Sequence, residues 1–108
     1  MTPGARLSAA IEVLDRIASS RQPADQVLKA WGVRNRYAGS GDRRAIADRV
    51  YACLREQGGQ GAGRRMVLAS LGLPLPEIEA LFSGERHAPA ALTDEEREWL
   101  AGLSAEPA

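Results

Sequence analysis

Four arginines and a tyrosine within eleven residues, Arg34, Arg36, Tyr37, Arg43 and Arg44, carry the strongest chemical signal in this 108-residue chain. A guanidinium is planar, permanently charged and forked, a geometry that matches phosphate oxygens. The stretch covers the expected end of one helix, a loop and the expected start of the next. A helix start adds free N–H groups and partial positive charge of its own. Asn35 contributes an amide and Tyr37 a ring. Together these groups suit a phosphate backbone with one unstacked base on Tyr37. The alternative is a solvated surface, or arginines that pair with acidic residues elsewhere in the chain.

The charge distribution sharpens that choice. The formal net charge is zero. Residues 1–65 nevertheless carry +6 and residues 66–108 carry −6, and 13 of the 14 basic residues are arginine. A genome rich in G and C favours arginine over lysine without any functional reason, but it does not dictate where the arginines cluster. Basic patches read as candidate nucleic-acid surfaces.

Other chemistry is sparse. The one histidine, His87, falls in a proline-flanked segment expected to be extended, so no Ser/His/Asp set can be assembled around it. Cys53 is the single cysteine, which excludes an internal disulfide and a multi-cysteine zinc site. The glycine-rich stretch 58–63 has no strand before it and no Gly-Lys-Ser/Thr ending, so it is neither a P-loop nor a dinucleotide fingerprint. No metal, no cofactor and no independent catalysis are expected of this chain. Cys53 reads as a buried thiol on an apolar stripe. Trp31 and Trp99 read as core or docking side chains rather than base-stacking ones.

The elements that must position the cluster are helical. Leu7, Ala10, Ile11, Leu14, Ile17 and Ala18 follow an i, i+3, i+4, i+7 period and predict a helix over about 5–19. Pro23 suits the first position of a second helix that carries Val27, Leu28 and Trp31 inward and weakens near Gly32. Residues 34–42 read as a loop, and Ser40 or Asp42 caps a third helix running to about Gln57. Ile46, Val50, Cys53 and Leu54 form its inner stripe. A fourth helix holds Met66, Val67, Leu68 and Leu71, and a short fifth one holds Ile78, Leu81 and Phe82, with Gly84 as its terminator. Residues 84–92 are expected to be extended. Thr93 and Glu96 have capping-box spacing and open a last helix with Trp99, Leu100 and Leu103. The tail from Ala105 is expected to fray. The expectation is an all-α bundle of about five helices plus a C-terminal helix after an extended linker. One domain's worth of chain, no membrane-length apolar run and no signal-peptide pattern make a cytoplasmic protein the expectation.

Asn35-Arg36-Tyr37-Ala38-Gly39-Ser40, then Asp42-Arg43, Ile46, Val50-Tyr51 and Leu54-Arg55, resembles the NusB-like N-terminal domain of bacterial Sun (Fmu)-family ribosomal RNA cytosine-C5 methyltransferases. The opening helix and Pro23-Ala24-Asp25 fit the same region. Leu81-Phe82-Ser83-Gly84-Glu85-Arg86-His87-Ala88-Pro89 resembles the family's connection toward its catalytic domain. The resemblance implies a NusB-like helical domain over 1–83, followed over 84–108 by a linker and helix leading toward a methyltransferase domain that this chain does not contain. In the family that domain binds S-adenosylmethionine and uses two cysteines for methyl transfer to ribosomal RNA; Cys53 corresponds to neither. The implied role is an RNA-binding and positioning module, not catalytic in this chain, with RNA and a methyltransferase domain of the same full-length protein as partners and no cofactor of its own. The competing reading is a protein-interaction module that docks on a catalytic domain or on a ribosomal or antitermination partner. Asp42 and Arg43 would then be structural residues at a helix start.

Overall fold

The computed structural model describes residues 1–58 and 61–105. Six α-helices and no strand occur among them: α1 (Pro3–Ser20), α2 (Ala24–Arg34), α3 (Ser40–Gln57), α4 (Gly63–Ser70), α5 (Leu75–Leu81) and α6 (Asp94–Ala105). The expected all-α bundle is what the chain forms. Part of the glycine break, residues 59 and 60, and the tail at 106–108 lie outside the described residues.

The apolar period of α1 buries Leu7, Ala10, Val13 and Leu14 against helices on several sides, and α1 packs on α2, α3, α4 and α5. Thr2 caps it: the hydroxyl accepts the Ala5 N–H at 3.1 Å. Val27 and Trp31 of α2, Ile46, Val50 and Cys53 of α3, and Met66, Val67 and Leu68 of α4 complete the centre of the core. Leu92 and Leu100 belong to the same cluster, so the chain after residue 84 shares its core with α1.

Four local expectations change. Pro23 stands just before α2, with ψ 147°, rather than inside its first turn. Neither Ser40 nor Asp42 is the cap of α3. Gly39 holds that position, and Asp42, three residues on, turns its carboxylate back to accept the Gly39 N–H at 3.2 Å. Residues 84–89 are not extended. The Gly84 N–H donates to the Pro89 carbonyl and the Ala88 N–H to the Glu85 carbonyl, each at 2.9 Å, closing a turn. Gly84 opens that turn with φ 73° instead of terminating α5, which ends at Leu81. The turn lies against α1 because Gly4 has no side chain. A Cβ there would stand 2.9 Å from the Leu81 carbonyl oxygen and 3.2 Å from Ala88 Cβ.

The Thr93 capping box forms as its spacing predicts. The Thr93 N–H donates to Glu96 Oε1 at 2.9 Å and the Glu96 N–H to Thr93 Oγ1 at 3.1 Å. Glu96 also takes Arg64 of α4 as a bidentate partner, at 2.8 and 2.9 Å. The Arg64 guanidinium continues to the carbonyls of Ala90 and Ala91 and lies 5.0 Å from the centre of the Phe82 ring. Arg64, hydrogen bonds to Thr93 and the fixed charge together hold the Glu96 carboxyl down to about 2 against the opposing effect of desolvation, with Arg64 the largest influence. The next residue, Arg65, stacks on Trp99 at 4.1 Å. Two consecutive arginines therefore fasten α6 to the bundle.

Candidate functional site

The end of α2 and the start of α3 meet at a short connection, residues 35–39. The Asn35 side-chain amide donates to the Trp31 carbonyl at 2.8 Å, and the Ala38 N–H donates to the Asn35 carbonyl at 3.0 Å. Ala38 is buried, which anchors the connection between two exposed residues, Tyr37 and Gly39. One N–H of the Asn35 amide therefore serves the backbone.

Arg34, Arg36, Tyr37, Arg43 and Arg44 are all exposed. The structure brings some of them together and separates others. Arg36 and Arg43 line one open groove with Lys29 and with Leu28, Gly32 and Val33 of α2. The Arg43 side chain passes over α2 at Gly32, where a Cβ would make an ordinary van der Waals contact, 3.4 Å from Arg43 Cδ. Arg34 and Arg44 line neither this groove nor the neighbouring cleft. Tyr37 faces that cleft, on the other side of the connection, together with Glu12, Trp31, Arg86 and His87.

The electrostatics of the groove follow from where its nearest carboxylate goes. Asp42 precedes Arg43 in sequence, yet its Oδ1 takes both Nε and Nη2 of Arg6 at 2.8 Å. Its Oδ2 lies 3.5 Å from the terminal ammonium. The Arg6 hydrogen bond holds the Asp42 carboxyl below its usual range against desolvation, with the Gly39 N–H assisting. Asp42 is thus committed to α1. Among the described residues, Lys29, Arg34, Arg36, Arg43 and Arg44 have no carboxylate within 4.0 Å. The arginines that do pair with acidic groups are Arg6, Arg64 and Arg97.

Other candidate groups are engaged internally. Cys53 is fully buried, and burial pushes its thiol pKa up. Its sulfur lies 3.5 Å from Ser70 Oγ, which also accepts from Arg49 at 3.2 Å while its own hydroxyl donates to the Val67 carbonyl at 2.8 Å. Trp31 is buried and its indole N–H donates to Glu12 Oε2 at 2.7 Å. Trp99 packs against the core at its edge. Among the described residues no three His, Cys, Asp or Glu side chains form a metal-binding group. No helix among them is long and apolar enough to cross a membrane.

Sequence reasoning missed Lys29, Glu12, Arg86 and His87. Lys29 was within reach: Lys29, Gly32 and Val33 share one face of a helix by i, i+3, i+4 spacing, and Arg36 continues that line. Arg86 and His87 were not, because the turn that presents them depends on Gly4, more than eighty residues earlier. Comparison with known protein families, curated proteins and solved structures finds no match for the chain.

Proposed function

We propose that this chain is an RNA-binding and positioning domain, not itself catalytic, that works with an S-adenosylmethionine-dependent ribosomal RNA cytosine methyltransferase domain of the same protein. The observation that carries the RNA-binding part is the groove in which Lys29, Arg36 and Arg43 stand together with no counter-ion among the described residues. Like charges held close without a carboxylate repel one another, and an incoming phosphate relieves that repulsion. The methyltransferase part rests on the resemblance of residues 35–55 and 81–89 to the NusB-like domain of the Sun family. S-adenosylmethionine belongs to the partner domain in this reading.

The test is fluorescence anisotropy with a labelled single-stranded RNA at low salt. Arg36→Glu with Arg43→Glu is expected to weaken binding across unrelated sequences. The slope of log affinity against log salt is expected to shrink by about 1.4 or more, since each lost phosphate contact on a single strand removes about 0.7. Unchanged affinity in the double variant would remove this surface from the reading.

A second reading has an observation of its own. Leu68, Leu73, Leu75, Ile78, Leu100 and Leu103 line an apolar groove of about 490 Å³ between α4, α5 and α6, and Leu103 is 48% exposed. Such a surface suits a protein-interaction module, and the commitment of Asp42 to Arg6 suits a structural role for that helix start. This reading expects weak RNA affinity that the double charge reversal does not change.

A further inference from the structure

The cleft beside the groove joins three kinds of surface that the phosphate-binding reading does not use. Its volume is about 590 Å³, inside the range of about 300–1,000 Å³ common for small-ligand sites. Ala5, Ala9 and Trp31 are buried and form its floor. Tyr37 is 72% exposed at its edge, an unusual position for an aromatic ring with no protein surface to cover. Arg86 and His87, both exposed, also line the cleft. His87 holds a left-handed backbone, φ 67°, which residues with side chains rarely adopt. The Gly84–Pro89 and Ala88–Glu85 hydrogen bonds enforce it.

Glu12 decides what the cleft can hold. Its Oε2 accepts the Trp31 indole N–H, and Oε1 has no donor among the described residues. A bare phosphate is repelled by that carboxylate. A nucleobase is not, because its amino and ring N–H groups can donate to Oε1 while its face lies on an aromatic ring. Its phosphate, one sugar away, then falls at the Arg86 guanidinium, where a His87 ring N–H can also donate, rather than beside Glu12.

We propose that this cleft holds one unstacked nucleotide of a bound RNA: the base on the Tyr37 ring with its donor edge toward Glu12, the phosphate at Arg86 and His87. The proposal rests on the RNA-binding reading above and deepens it. The Lys29–Arg36–Arg43 groove gives affinity without regard to RNA shape, whereas the cleft selects RNA with a base free to leave its stack.

Two labelled RNA hairpins of equal length test it, one fully paired and one with a single-adenosine bulge, by anisotropy at low salt. The unmodified protein is expected to bind the bulged hairpin at least about fivefold more tightly, the lower end of what one base–aromatic stack contributes. Tyr37→Ala brings the affinity for the bulged hairpin down to that for the paired one, and Tyr37→Phe, which keeps the ring, retains the preference. Equal, salt-sensitive binding of both hairpins by the unmodified protein overturns the cleft and leaves the groove standing. A preference that survives Tyr37→Ala also overturns the cleft. Failure to bind either hairpin overturns both.

Discussion

Gly63 begins α4 where that helix crosses α1, and the crossing leaves no room for a side chain. A Cβ there would stand 2.6 Å from the Ile11 carbonyl oxygen and 2.9 Å from Asp15 Oδ1. Neither neighbour can yield easily. One is helix backbone, and the other is fixed by accepting the Gly63 N–H at 2.7 Å. Gly63→Ala therefore forces α4 away from α1 and is expected to destabilise the protein by about 1–3 kcal/mol, the usual cost of overpacking. A urea titration reads this as a lower midpoint at unchanged slope; an unaltered midpoint would mean that the crossing is looser than its distances imply. The sequence shows Gly63 as one more glycine in a break, which is accurate about the chain's direction. Its second role depends on Asp15, 48 residues away, and no local pattern reports it. The five proposed contact residues divide in the same manner. Their exposure follows from polarity and loop chemistry, but the partition of Arg36 and Arg43 from Tyr37 is set by how α2 and α3 cross.

At the scale of elements, the fastening of α6 gives a pH dependence with a definite sign. Glu96 titrates near 4.5 when the chain is unfolded and at about 2 when folded. The unfolded state thus binds more protons in that interval, so the stabilisation is complete above the unfolded value and is lost as pH falls from about 4.5 toward 2. The urea midpoint is expected to drop between pH 5 and 2.5 more steeply than in Glu96→Gln. Asp42 is depressed as well, so the unmodified chain and the variant both lose its share, and the difference between them isolates Glu96. Parallel curves would show that Arg64 gains nothing from the charge of Glu96. The helices themselves were legible: the 3.6-residue period places all six, and Thr93 with Glu96 marks the start of α6 to the residue. The connection at 84–89 was not. Pro89, Gly84 and a lone histidine read as an extended strap, and the turn is set by its seat on Gly4, which no local pattern reports.

For the whole molecule, the division of charge along the chain survives folding. The acidic groups of residues 66–105 that form ion pairs take Arg64 or Arg97, both on the side of α6. They do not reach Arg36 or Arg43, so those two guanidiniums keep no carboxylate within 4.0 Å among the described residues of a chain that is neutral overall. A single apolar cluster runs from Leu7 to Leu100 beneath both faces, and the groove and the cleft are therefore supported by one core rather than by separate units. Cys53 sits inside that cluster with no exposed surface. Its sulfur can meet an aromatic disulfide reagent only when α3 and α4 part, so the colour released on labelling becomes a clock for opening. Native protein is expected to react orders of magnitude more slowly than protein in urea, and Gly63→Ala to run that clock faster. Prompt reaction in buffer alone would mean that the bundle breathes at its centre.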